Sequence, residues 1–308
     1  MVEIPVNWSM KFRKTIIFGV LSSFIWSSYY PLLYIEGNSS SFLTVGIPFL
    51  VGGLIFLFTS WKRGTIKKDI KRSSIPILVL LSILAYGMQE SIVISVVHNG
   101  SINTSLFIML GDIIVVPLLV IILTVDNTER NLLLFILSII LLFVGGDIVI
   151  ANGIYLPPAS IDLLYGIAAM IFMSVYFITT QHTMGNNINE TTLGMTFIGV
   201  FIISIVSIPY YPSWNVITAF QFFILVIIGI TSFNIAYWCY FISSSVKGMA
   251  VTSILQALIP AFTTVFMVTL GEPVTFYTIL GICITSAGAV TASLSTVKKI
   301  KRNIFKNN

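Results

Sequence analysis

Long apolar runs, separated by short polar breaks, follow one another through most of the chain. A helix rises 1.5 Å per residue, so about 20 apolar residues cross the roughly 30 Å hydrocarbon core of a bilayer. Ten runs approach that measure, at 15–35, 41–61, 75–97, 101–125, 131–151, 161–181, 191–209, 216–242, 249–270 and 274–296. The breaks carry turn chemistry, as in Glu36-Gly37-Asn38, Gly185-Asn186-Asn187 and Gly271-Glu272-Pro273. The slightest break is His98-Asn99-Gly100, between the third and fourth runs. The runs are continuous and do not alternate, which argues against the ten-residue strands of a β-barrel.

Composition agrees with a membrane solvent. Of 308 residues, 56% are hydrophobic and 9% charged, against about 25% charged in an ordinary soluble domain. A soluble enzyme, a nucleic-acid binder and a disordered chain are excluded on that ground. The net charge of +5 reads as topology, because Lys and Arg gather in cytoplasmic loops. With the N-terminus inside, all 16 basic residues fall in alternate gaps: Lys11, Arg13 and Lys14; Lys62, Arg63, Lys67, Lys68, Lys71 and Arg72; Arg130; Lys247; and five in the C-terminal tail. Ten spans with both termini cytoplasmic follow. No small-residue cleavage site follows the first run, so it is read as a retained span. A multi-pass protein of a cell (inner) membrane is expected.

The chain also repeats itself. Phe18-Gly19 aligns with Tyr165-Gly166, Tyr29 with Tyr176, Gly100 with Gly248, Thr104-Ser105 with Thr252-Ser253, Glu129 with Glu272 and Gly145 with Gly288. The offset stays between 143 and 148 residues. Two five-span halves result, and an odd span number inserts the second half upside down. Inverted repeats are a transporter architecture with the site near midplane. The expected divisions are a tail at 1–14, a first repeat at 15–151, an extracytoplasmic linker at 152–160, a second repeat at 161–296 and a basic tail at 297–308.

These features make the chain resemble the EamA-like branch of the drug/metabolite transporter superfamily. The resemblance rests on the two five-span halves and on how each ends. Leu270-Gly271-Glu272-Pro273-Val274-Thr275, followed by Gly281 and Gly288, closes the second half. Val125-Asp126-Asn127-Thr128-Glu129-Arg130, with Gly145, is the looser counterpart in the first. Phe24-Ile25-Trp26-Ser27-Ser28 is similar to the family's first span, with Ser where Trp-Gly is usual. The resemblance implies an all-α, ten-helix membrane fold. It also implies a central cavity lined by spans one, three, four, six, eight and nine.

The chain shows no nucleophile–base constellation, no phosphate-cradling Gly loop and no metal-ligand spacing, so no cofactor is expected. Cys239 and Cys283 sit in apolar runs, and His98 and His182 lie at loop edges. Two carboxyls stand apart. Glu90 lies within span three and Asp112 within span four, where a charge costs roughly 2.5–3.5 kcal/mol on insertion scales. No basic residue lies within any span to neutralise them. They are candidates for proton coupling or cation binding, against a structural role as protonated, hydrogen-bonded groups.

Polar groups in hydrocarbon need partners or water, and several share helical faces. Tyr86, Gln89, Glu90 and Val93 have i, i+3, i+4 spacing, as do Asn234, Tyr237, Trp238 and Phe241. With Trp26, Tyr29, Tyr30, Tyr176 and Gln256 they form an expected cavity lining of aromatic, amide and hydroxyl groups without a cation. The expected substrate-binding set is Trp26, Tyr30, Tyr86, Gln89, Glu90, Asp112, Tyr176, Asn234, Tyr237, Trp238 and Gln256. Phosphorylated cargo favours Arg or Lys, so the lining points to amphipathic metabolites such as amino acids or organic amines. Pro117 and Pro260 are candidate kinks or gates. The reading is a secondary transporter, with export the favoured direction and proton or exchange coupling. The alternative is a membrane protein without transport: a lipid scramblase, receptor or scaffold.

Overall fold

The computed structural model describes residues 6–36, 41–72, 74–110, 132–151, 161–184, 189–208, 217–245, 252, 255–256, 258–288 and 290–291. The described elements are helices. They are α1 (Val6–Glu36), α2 (Ser41–Lys62), α3 (Ile66–Arg72), α4 (Ile75–Leu110), α5 (Leu132–Ala151), α6 (Ile161–Met184) and α7 (Glu190–Ser207). Then come α8 (Ala219–Ile230), which runs through a π-helical turn, Thr231–Ala236, into α9 (Tyr237–Ser245), and α10 (Ile259–Thr269). The last is α11 (Phe276–Gly288). Among the described residues, six stretches are long and apolar enough to cross a membrane, and α5, α10 and α11 contain shorter apolar helices.

The distribution of polarity is that of a protein dissolved in lipid. Ser22, Ser27, Gln89, Ser95, Thr104, Ser174, Ser243, Gln256 and Thr263 are buried, while Leu54, Phe58, Ile83, Phe143, Phe223 and Val265 are exposed. Inside, hydroxyls hold helices together by donating to carbonyls on other helices. Ser82 reaches the Thr196 carbonyl at 3.1 Å, Ser101 that of Tyr30 at 3.1 Å and Ser243 that of Thr15 at 2.8 Å. Each satisfies a hydroxyl that hydrocarbon would leave bare.

A straight α4 would be about 54 Å long, well beyond the bilayer core. Gly100 resolves this with non-helical backbone angles, φ 78° and ψ 166°. Across it, the Ser95 and Thr104 hydroxyls pair at 2.9 Å. Residues nine apart in a straight helix would be about 13 Å apart, so the chain turns back at the break His98-Asn99-Gly100. A second pair with the same nine-residue separation, Ser243 and Thr252, meets at 2.8 Å.

The motif Leu270-Gly271-Glu272-Pro273 is a helix stop. Gly271 has φ +89°, its amide bonds the Val268 carbonyl and the Glu272 amide bonds the Met267 carbonyl. That is a Schellman cap followed by a proline unable to continue the helix. Beyond it, α11 crosses α5 with glycine against glycine. A β-carbon on Gly145 would lie 2.7 Å from the Gly281 carbonyl oxygen, and one on Gly281 2.5 Å from that of Gly145.

Three boundaries depart from expectation. Helix α1 begins at Val6, so helix extends into the expected tail and through Lys11, Arg13 and Lys14. The basic stretch after α2 contains the helix α3. Pro260 stands in the first turn of α10 rather than mid-helix, because a residue without an amide proton is best tolerated there. Asp112, Pro117, the 152–160 stretch and the 297–308 tail lie outside the described residues.

Candidate functional site

The central part of α1 packs against the π turn and α9, and its C-terminal half carries Trp26, Tyr29 and Tyr30 inward. Trp26 donates its indole N–H to the Ser232 carbonyl at 3.0 Å. Ser232 lies in the π turn, where i→i+5 pairing alters the usual carbonyl partners and such turns are frequent at functional sites.

Around this contact lies an aromatic cluster. Tyr237 meets Trp26 edge-on at 5.2 Å between ring centroids, and Phe177 and Phe233 stack on it at 5.8 and 5.9 Å. Edge-to-face and offset geometries suit the ring quadrupoles.

The cluster walls a cavity of about 40 Å³, with Trp26, Tyr29, Tyr30, Gln89, Ser232 and Tyr237 among its lining. Met88, Ile92, Ile108, Met173, Phe177, Phe233 and Ile259 also line it. Among the described residues the lining holds no ionisable carboxyl or basic side chain. Three of its polar atoms, the Tyr29 hydroxyl, Gln89 Nε2 and Ser232 Oγ, are buried without a hydrogen-bond partner among the described residues. Such groups call for water or ligand.

Of the expected set, Trp26, Tyr30, Gln89 and Tyr237 line this cavity. Tyr86 and Glu90 are half-buried away from it, and Tyr86 donates to the Ser207 hydroxyl on α7 at 3.0 Å. The inward face of α4 is the one bearing Met88, Gln89 and Ile92, about one residue, or 100°, from the face drawn through Glu90. Tyr176 is fully buried behind Tyr237, 6.4 Å between centroids. Asn234 is half-buried, and Trp238 packs edge-on against Phe18 at 5.7 Å. The π turn explains this shift: its longer repeat brings Ser232, Phe233 and Tyr237 inward instead of Asn234 and Trp238. Gln256 binds Ser22 Oγ at 3.0 Å, tying α1 to the stretch before α10.

Sequence reasoning passed over Met88, Met173, Phe177 and Phe233, which look like ordinary core residues in an apolar run. It also read Glu36 as part of a turn. Glu36 is 3% exposed, and its carboxyl acts electrostatically on Tyr29 in the cavity wall. Two polar links lie away from the cavity: Arg63 pairs with Glu190 at 2.7 Å, and Thr191 donates to Asp69 at 2.9 Å.

A bundle of apolar helices, polar inside and greasy outside around an aromatic cavity, is a multi-pass membrane protein. Residues 160–294 match the model of the EamA-like transporter family, which lies within the drug/metabolite transporter superfamily. A solved structure titled "Crystal structure of protein" is similar with a TM-score of 0.72 at 17% identity, covering 92% of this chain and 98% of that one. At that identity the likeness speaks for the fold alone. No curated protein matches the chain.

Proposed function

We propose that the chain is a secondary transporter that exports small amphipathic metabolites, amino acids or organic amines, by alternating access around the cavity. The observation that carries this reading is the lining: aromatic faces around the buried Tyr29 hydroxyl, Gln89 Nε2 and Ser232 hydroxyl, which have no hydrogen-bond partner among the described residues. Aromatic faces attract cationic and apolar groups, and the three polar atoms supply donors and acceptors for an amine, carboxyl or hydroxyl. With no Lys or Arg among the described lining residues, phosphorylated cargo is disfavoured.

The proposed frame is ten spans in two inverted repeats, 15–151 and 161–296, with cytoplasmic termini in a cell (inner) membrane. Several contacts support it. The pairs Ser95–Thr104 and Ser243–Thr252 are related by the same 148-residue offset as Gly100 and Gly248. Arg63–Glu190 joins two segments assigned to the inside, and Gln221 Nε2, donating to the Glu36 carbonyl at 2.9 Å, joins two assigned to the outside.

Within this reading Glu90 and Asp112 are the proton-coupling candidates, and Pro117 and Pro260 the gating ones. Flux in proteoliposomes, with amino acids, amines and sugar nucleotides as the panel, tests it. Amino acids or amines should move, Gln89→Leu should weaken their apparent binding, and Glu90→Gln should alter the pH profile. Movement of phosphorylated compounds only refutes the substrate argument, and no flux of any compound returns the protein to a non-transporting role.

A further inference from the structure

The stretch from Trp61 to Arg72 has a chemistry that the cavity does not use. Six basic residues, Lys62, Arg63, Lys67, Lys68, Lys71 and Arg72, stand here against Asp69 as the one acid. The structure fixes the stretch in place. Gly64, at φ +66°, turns the chain out of α2, and Thr65 accepts from the Asp69 amide at 3.0 Å to start α3. Asp69 accepts from Thr191, and Arg63 reaches Glu190, so the acid is engaged on the protein side.

What remains outward is basic and partly apolar. Lys62 and Lys67 are exposed, Arg63 stays 61% exposed despite its ion pair, and Ile70 is 45% exposed. On a helical projection Ile66 and Ile70 share one side, and Lys67 borders it. One turn before, at the end of the apolar helix α2, Trp61 is 67% exposed beside Phe58, and the Lys62 ammonium lies 5.3 Å from the Phe58 ring centroid. An exposed Trp closing an apolar helix sits at the headgroup level of a bilayer. The exposed ammonium groups therefore stand beside lipid phosphates and carry an apolar edge suited to the acyl boundary.

We propose that Trp61–Arg72 is a binding surface for the headgroups of anionic phospholipids in the adjoining leaflet. Charge complementarity sets its partner, because juxtamembrane clusters of this size attract anionic lipid within a Debye length. The surface lies away from the cavity lining and does not depend on the transport reading.

Trp61 supplies the probe. The full chain is reconstituted in phosphatidylcholine vesicles containing brominated phosphatidylglycerol or, at the same mole fraction, brominated phosphatidylcholine. The Trp61 signal is the fluorescence difference between the wild type and Trp61→Phe. Quenching of that component should be several-fold stronger with the anionic lipid. The preference should fall towards parity at high salt and in Lys62→Gln/Lys67→Gln. It should survive inorganic phosphate at matched ionic strength. Equal quenching by the two lipids, or a preference insensitive to salt, overturns the proposal. Loss to phosphate at matched ionic strength also overturns it, showing a general phosphate site. Thermal melts of wild type in detergent doped with each lipid read the same preference without any variant. A higher Tm with phosphatidylglycerol supports it, and equal Tm values count against it.

Discussion

Replacing Gly281 by Ala inserts a single methyl where α11 crosses α5. That carbon would lie 2.5 Å from the Gly145 carbonyl oxygen, 3.1 Å from the Val149 amide nitrogen, and against the Val149 side chain. Backbone atoms cannot rotate aside as a flexible side chain can, so the helices must part. Ala is intrinsically better in a helix than Gly by about 1 kcal/mol. Overpacking at a tight contact costs about 1–3 kcal/mol, and the close approach of two backbones puts this site towards the upper end. The net expectation is a loss of about 1–2 kcal/mol, a factor of roughly 5–30 in the folded ratio. Gly145→Ala should cost a similar amount, since its methyl would meet the Gly281 carbonyl and the Thr285 amide, each at 2.7 Å. Once either methyl has separated the helices, the second should add little, so the double variant should fall short of the sum. Unfolding by dodecyl sulfate in mixed micelles, followed by tryptophan fluorescence, gives the free energies. Neither glycine lines the cavity, so the folded fraction should keep its substrate KM. An alanine variant as stable as the wild type would refute the close crossing.

Trp26→Phe removes the donor to the Ser232 carbonyl and leaves a small gap where the indole exceeds a phenyl ring; the expected loss is about 1–2 kcal/mol in the same assay, with a raised substrate KM. Gly271→Ala forces a side chain into the left-handed region and should cost about 1 kcal/mol, read as a lower Tm. Burial raises the Glu272 carboxyl above its ordinary value. Its folded form therefore resists ionising, and its contribution is greatest at acid pH and is lost as pH rises through the raised value. Glu272→Gln should flatten that acid-to-neutral decline in Tm, and an unchanged slope would remove Glu272 from the account.

What the sequence reveals depends on how local the cause is. Turn residues act through their own backbone, so Gly100 and Gly271-Glu272-Pro273 are legible as a reversal and a stop before any fold is known. The inward faces are less local. The π turn at Thr231–Ala236 breaks the 3.6-residue period on which the face of Asn234 and Trp238 was drawn. In α4, polarity drew attention to Glu90, whereas packing turns Gln89 and its apolar neighbours Met88 and Ile92 inward. Helix α3 escaped notice because seven basic-rich residues give no hydropathy signal. Three charged residues hid the early start of α1, although Lys and Arg are good helix formers. Phe177 and Phe233 carry no signal that distinguishes a wall from a core.

The space beside Trp26 holds only about three water molecules. An amino acid or an aromatic amine, the cargo proposed above, is several times larger. On that proposal, admission of cargo must push Met88, Met173 and the rings apart, and the unbranched methionines yield most readily. Under the proposed reading loading is therefore an act of swelling, and hydrostatic pressure would oppose it more than it opposes the unloaded return.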